Sequence, residues 1–258
     1  MIDTNVHLFR YPFRRLFGDD PPELVVQLRK KGVTQAWAGS FEAPFCRDVS
    51  GVNDRLAAAC REHGAGFLIP FGCVNPKSPD WEEDLRRCHE EHRMPGIRLY
   101  PNYHGYSLED SAFAKLLSLA ESRRLIVQIA RSIEDIRTQF PLMLVPPVSP
   151  GPLAKLLPQF PDLKVVLLNG GGWAGEDAPG MKELRNAGNV YWDIAMNEGV
   201  GGLDRLVAAT SPSRVVFGSH YPFFYLESAL LKVQSSDLTP GQVQAVLEGN
   251  ANSLLKNL

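Results

Sequence analysis

The chain has 258 residues, 44% of them hydrophobic, and a net charge of −2, enough to bury a full core without disulfides or a structural metal. This charge gives no reason to expect nucleic acid or an anionic membrane as partner, and no apolar run reaches the length of a membrane span. Four cysteines without C-x-x-C spacing read as reduced thiols of a cytoplasmic protein, and a strand opening at residue 2 leaves no room for a signal peptide.

In chain order, β-rich runs are predicted at residues 2–7, 33–38, 67–73, 96–100, 125–130, 164–169, 189–194 and 214–219. Helical stretches are predicted at 21–31, 51–63, 80–92, 109–123, 150–158, 178–187, 202–210 and 225–235. Strict alternation of eight with eight implies parallel strands joined by helical crossovers. A last piece, 240–256, starts with proline in its first turn and breaks at Gly249-Asn250.

Side chains alternate across a strand, so sets of equal parity share a face. These are Asp3, Asn5 and His7; Arg98 and Tyr100; Gln128 and Ala130; Val165, Leu167 and Asn169; and Val216, Gly218 and His220. The polar members stand at strand C-terminal ends and, with Asp193, form a predicted pocket floor.

Four stretches carry a family signal. Residues 2–8 read Ile-Asp-Thr-Asn-Val-His-Leu, and 125–130 read Leu-Ile-Val-Gln-Ile-Ala. Residues 164–170 read Lys-Val-Val-Leu-Leu-Asn-Gly, and 214–223 read Arg-Val-Val-Phe-Gly-Ser-His-Tyr-Pro-Phe. Together they resemble the amidohydrolase superfamily, in its amidohydrolase-related (amidohydrolase 2) group of metal-dependent hydrolases. The resemblance implies an α/β fold with a single (β/α)8 TIM barrel as one domain over 1–258, and a site at the C-terminal rim. It implies cleavage of carbon–nitrogen or ester-type bonds in a small molecule, with decarboxylation as a variant.

In the family pattern the first strand carries two metal-binding histidines and strands five and six each end in histidine. The last strand ends in an aspartate that binds the metal and takes a proton from its water. Here Asn5, Ala130, Asn169 and His220 stand at four of these five positions, and only His7 remains. Neutral amides are poor zinc ligands and alanine offers nothing. The expectation is a degenerate metal site and no cofactor. The alternative is a zinc-like divalent metal at His7 and His220, with Asp193 or Asp3 as carboxylate.

Without metal, the candidate catalytic residues are His7, His220 and Asp193, which could pass protons. The candidate substrate-binding residues are Asn5, Arg98, Tyr100, Gln128, Asn169 and Trp173. Arg98 could take a substrate carboxylate through its planar fork or form an ion pair with Asp3 or Asp193. The reading is a hydrolase-like protein acting on or binding a small anionic substrate. Its alternative is an inactive barrel kept for ligand binding or interaction, with a homo-oligomer left open.

Other features have plainer readings. Gly199–Gly202 fits a turn before a helix, and Cys88–His92 fits a solvated outer helix. Cys46 beside Arg47 lacks an identifiable histidine partner. The proline-rich run 139–148 reads as a rigid connector.

Overall fold

β1 (Ile2–Leu8) is buried along its whole length, as a strand must be when helices cover one face and barrel core the other. The remaining strands are β2 (Gln35–Ser40), β3 (Leu68–Gly72), β4 (Gly96–Leu99), β5 (Ile126–Ala130), β6 (Val165–Leu168), β7 (Val190–Asp193) and β8 (Val215–Val216). The crossovers are α1 (Pro21–Lys30), α2 (Val49–Gly64), α3 (Trp81–Glu90), α4 (Ser111–Ser122), α5 (Gly151–Leu156), α6 (Met181–Asn186), α7 (Gly202–Ala209) and α8 (Leu226–Gln234). The computed structural model describes residues 1–170 and 179–256. Each strand pairs in parallel with the next, in the order β1 to β8. The ring is closed by a parallel bridge between Val6 and Tyr221. Three backbone hydrogen bonds reinforce it: Thr4 N–H to Phe217 O (2.9 Å), His220 N–H to Asn5 O (2.8 Å) and His7 N–H to Tyr221 O (2.9 Å). The architecture is a single, nearly closed (β/α)8 TIM barrel.

The eighth strand is shorter than the predicted 214–219. Its backbone donors go elsewhere: Phe217 N–H bonds Val246 O (2.9 Å), and Ser219 N–H bonds the Asp3 carboxylate (3.0 Å). The C-terminal piece supplies Val246 as α9 (Pro240–Gln244), a π-helical stretch (Ala245–Gly249) and α10 (Asn250–Lys256). Thr239 and Gln242 start it with a reciprocal capping box.

Two apolar layers hold the barrel. Leu24, Leu56, Leu85, Phe113 and Leu153 of the helices pack on the outward residues Ala36, Ile97, Val127, Val165 and Leu167. Inside, Ile2, Trp37, Phe71, Ile126, Val166 and Val216 cluster with Ala251 and Leu254 of α10. The parity reading is thus corrected on β6, where Val166 and Leu168, not Val165 and Leu167, belong to the inner layer. Asn169 still turns inward because its backbone is left-handed, with φ 54°, which breaks the alternation after Leu168. Among the described residues no helix is long and apolar enough to cross a membrane.

Candidate functional site

Asn5, Asn169 and Asp193 converge from β1 and from the ends of β6 and β7. The Asn5 side-chain nitrogen donates to Asn169 Oδ1 and to Asp193 Oδ2, both at 2.7 Å. The Asn169 backbone N–H donates to Asp193 Oδ1 (2.9 Å), and its side-chain nitrogen to Ser132 O (2.7 Å). Among the described residues no cation contacts Asp193, and burial pushes its carboxyl up to about 8, against the opposing pull of the Asn5 and Asn169 hydrogen bonds. It is therefore largely protonated at neutral pH. Asp3 is similarly pushed up by burial, to about 6. Its oxygens accept from Asn5 N–H (3.1 Å) and from the Ser219 hydroxyl (2.5 Å), tying β1 to the chain beyond β8.

His7 and His220 meet edge to face, with ring centroids 4.9 Å apart. His7 stacks on Phe41 and His220 on Phe223. His220 Nε2 lies 2.7 Å from Ile133 O; a carbonyl only accepts, so this nitrogen carries the proton and Nδ1 holds the lone pair. His7 Nε2 lies 3.2 Å from Arg98 Nη1; a guanidinium only donates, so here Nε2 is the acceptor. Among the described residues neither Nδ1 has a partner, nor does Asn5 Oδ1. Burial, then the Arg98 charge, pushes His7 well below its ordinary value. Burial also pushes His220 down to about 4, so both rings are neutral at pH 7.

Arg98 is fully buried, and all five of its N–H groups have acceptors. Nε donates to Gln128 Oε1 (2.7 Å) and Nη1 to Val6 O (2.9 Å) and His7 Nε2. Nη2 donates to Thr4 O (3.3 Å) and Trp37 O (3.1 Å). Gln128 in turn donates to Thr4 O (2.8 Å), and Tyr100 places its hydroxyl 3.3 Å from His7 Nε2. Arg98 pairs with neither Asp3 nor Asp193, the partners of the alternative sequence reading, and all its N–H groups are engaged. Room for the guanidinium comes from Gly39, where a Cβ would sit 2.7 Å from Nη1.

Above this floor, where the chain leaves β5 to β8, lies a cavity of about 750 Å³. Asn169 is the floor residue that reaches it. Phe223, Phe224, Met196 and Ile136 give it apolar wall, and Arg14, Arg131, Arg137, Glu134, Asp135 and Glu198 give it charge. Glu134 is buried, ion-paired with Arg14 and bonded by the Tyr11 hydroxyl (2.8 Å). Arg14 also lies over the Phe223 ring at 4.6 Å. Sequence reading singled out none of these as site residues, although Phe223 ends one of the family stretches, because they stand in loops where no periodicity marks a face. The one available signal was their place after strand ends. Trp173 lies outside the described residues, as does most of the glycine run before it. Gly199–Gly202 forms a turn closed by Gly202 N–H to Gly199 O (3.1 Å).

The metal implied by the resemblance does not suit these side chains. Among the described residues no three His, Cys, Asp or Glu groups are placed to hold an ion. The Asn5 amide N–H groups point at the oxygens of Asn169 and Asp193, so donors stand where ligand atoms would be needed. His7 Nε2 already accepts from Arg98.

A model of the amidohydrolase family matches residues 2–256. No curated protein matches the sequence. Among solved structures, the chain is similar to 2,6-dihydroxybenzoate decarboxylase from Rhizobium (14% identity, 98% of this chain and 99% of that one, TM-score 0.74). It is similar to dihydroxybenzoic acid decarboxylase from Polaromonas with bound manganese and 2-nitroresorcinol (14% identity, 98% and 97%, TM-score 0.75). It also resembles 4-oxalomesaconate hydratase from Rhodopseudomonas palustris (16% identity, 100% and 96%, TM-score 0.70). At such identities the structural likeness speaks for the fold, and the family match over nearly the whole length makes this chain a member of the amidohydrolase family.

Proposed function

We propose that the protein binds a small organic anion in the cavity at the strand C-termini and does so without a divalent metal. One observation carries the metal-free part: Asn5, at a position where the family pattern has a metal ligand, donates through its amide nitrogen to Asn169, at another such position, and to Asp193. A neutral hydrogen-bonded triangle needs no ion to hold it together. The similar structures are named for dihydroxybenzoate and 4-oxalomesaconate, small carboxylates that suit a cavity with aromatic walls and arginines. Because Arg98 has no free N–H, the anion-binding role expected for it falls to the cavity arginines, Arg14 first.

A thermal-shift screen of hydroxybenzoic and unsaturated dicarboxylic acids against their neutral amides tests the reading. Acids are expected to stabilise the protein more than their amides. In Arg14→Gln the best acid is expected to bind about tenfold more weakly, as loss of one charge-assisted hydrogen bond implies. Equal shifts for acid and amide would overturn it.

A second reading, metal-free catalysis, is favoured by Asp193, whose carboxyl near pH 8 is poised to donate a proton around neutrality. Turnover of an acid found in the screen, lost in Asp193→Ala while binding persists, separates catalysis from binding.

A further inference from the structure

At the opposite end of the barrel, beneath the starts of β4 and β5, lies an open cavity of about 290 Å³. It is lined by His89, Arg93, Met94, Arg123, Arg124 and Leu125 together with Pro95, and no carboxylate lines it. We infer that this cavity is a binding site for a small multivalent oxyanion of the phosphate class, independent of the cavity at the strand C-termini.

The first support is charge without counter-charge. Among the described residues none of Arg93, Arg123 and Arg124 forms an ion pair. Of their side chains only that of Arg123 makes a hydrogen bond, spending one N–H on Leu119 O (3.3 Å). The acids nearest in sequence are engaged elsewhere. Glu90 pairs with Arg86, and Glu91 with Arg86 and Arg87. Glu121 accepts the backbone N–H groups of Asp162 (3.0 Å) and Leu163 (3.1 Å). In a chain of net charge −2, three arginines left together stand out. The C-termini of α3 and α4 point here, each worth roughly −0.5 charge. Against three guanidinium groups this leaves roughly +2, so the helix ends soften the field without cancelling it.

The second support is backbone. Arg93 and Arg124 are both left-handed, with φ 55° and 56°, at the chain reversals that end α3 and α4. Glycine is the default residue at such positions. Placing arginine at both is a local cost that charge at this spot would offset. The third support is His89, a lining residue whose Nδ1 is buried without a partner among the described residues. The volume suits phosphate or diphosphate and is at the low end for a larger ligand.

The test is calorimetry with sodium diphosphate, and separately inorganic phosphate, against sodium chloride at equal ionic strength. The proteins are the parent, Arg93→Gly/Arg124→Gly, and Arg14→Gln as the control for the other cavity. The parent and Arg14→Gln are expected to bind diphosphate at one saturable site. The double variant is expected to weaken binding by about a hundredfold, one factor of ten per arginine. Relief of two left-handed non-glycine residues should also raise its melting temperature, by roughly 4 °C or more, so loss of binding could not be assigned to unfolding. Heats no larger than those of chloride, or binding unchanged in the double variant, would overturn the inference. Loss of binding in Arg14→Gln alone would move the site to the other cavity and overturn it equally.

Discussion

Arg98 shows how little of a residue's task its identity reveals. A buried arginine at a strand end suggests a substrate clamp, but its five donors go to three backbone carbonyls, Gln128 and His7. It braces β1, β2, β4 and β5 from within. Lysine offers three donors, so Arg98→Lys strands at least two buried acceptors at ~1–3 kcal/mol each; chemical denaturation should show a loss of about 3 kcal/mol or more. Gly39→Ala presses a methyl group on the same guanidinium and should cost ~1–3 kcal/mol. Asp193 governs the pH response. Its folded pKa is raised to about 8 from 3.8, so its contribution is full at low pH and is lost as pH rises towards about 8. Asp3, raised to about 6, acts in the same sense over a lower window. His7 and His220 are lowered and act oppositely, losing stability as pH falls below about 6.5. Between about pH 6.5 and 8 the Asp193 limb should therefore dominate, with unfolding free energy falling by about 2 kcal/mol. Urea titrations across that window check this, and in Asp193→Ala the limb should flatten.

At the scale of elements, the alternation of strands and helices was legible because apolar runs and turn residues recur at regular intervals. Two details were not. The end of β8 was overread, since nothing in residues 217–219 says that their N–H groups go to Val246 and Asp3. The inner face of β6 was misassigned, since a left-handed Asn169 resets the alternation on which the reading rested. The run 139–148 follows the expected connector, but prolines are only part of its order. The Gln139 amide donates to Val145 O (3.0 Å) and Glu134 O (3.3 Å), and it accepts from Val145 N–H (2.7 Å). Phe140 stacks on Phe13 at 5.3 Å. Gln139→Ala should leave the melting temperature within about 2 °C, because the loop packs outside the main core. Limited proteolysis should nonetheless cut the loop several times faster than in the parent.

For the whole molecule, the floor was more legible than the walls. Asn5, His7, Asn169, Asp193 and His220 were singled out because strand ends and family positions mark them; the fold joins Asn5, Asn169 and Asp193 by hydrogen bonds and sets His7 edge to face with His220. The walls come from loops, whose contacts depend on tertiary placement; Glu134 and Arg14 carry no sequence signal of their own, and Phe223, though it ends a family stretch, is not marked there as a wall. The proposal that matters most is that the hydrogen-bonded triangle of Asn5, Asn169 and Asp193 stands in place of the metal that the family resemblance implies. Elemental analysis tests it most directly, on protein purified without chelator, equilibrated with manganese and zinc, then desalted. The expected result is far less than one metal per chain, unchanged in His7→Ala/His220→Ala. One tightly held ion per chain, lost in that double variant, would contradict it.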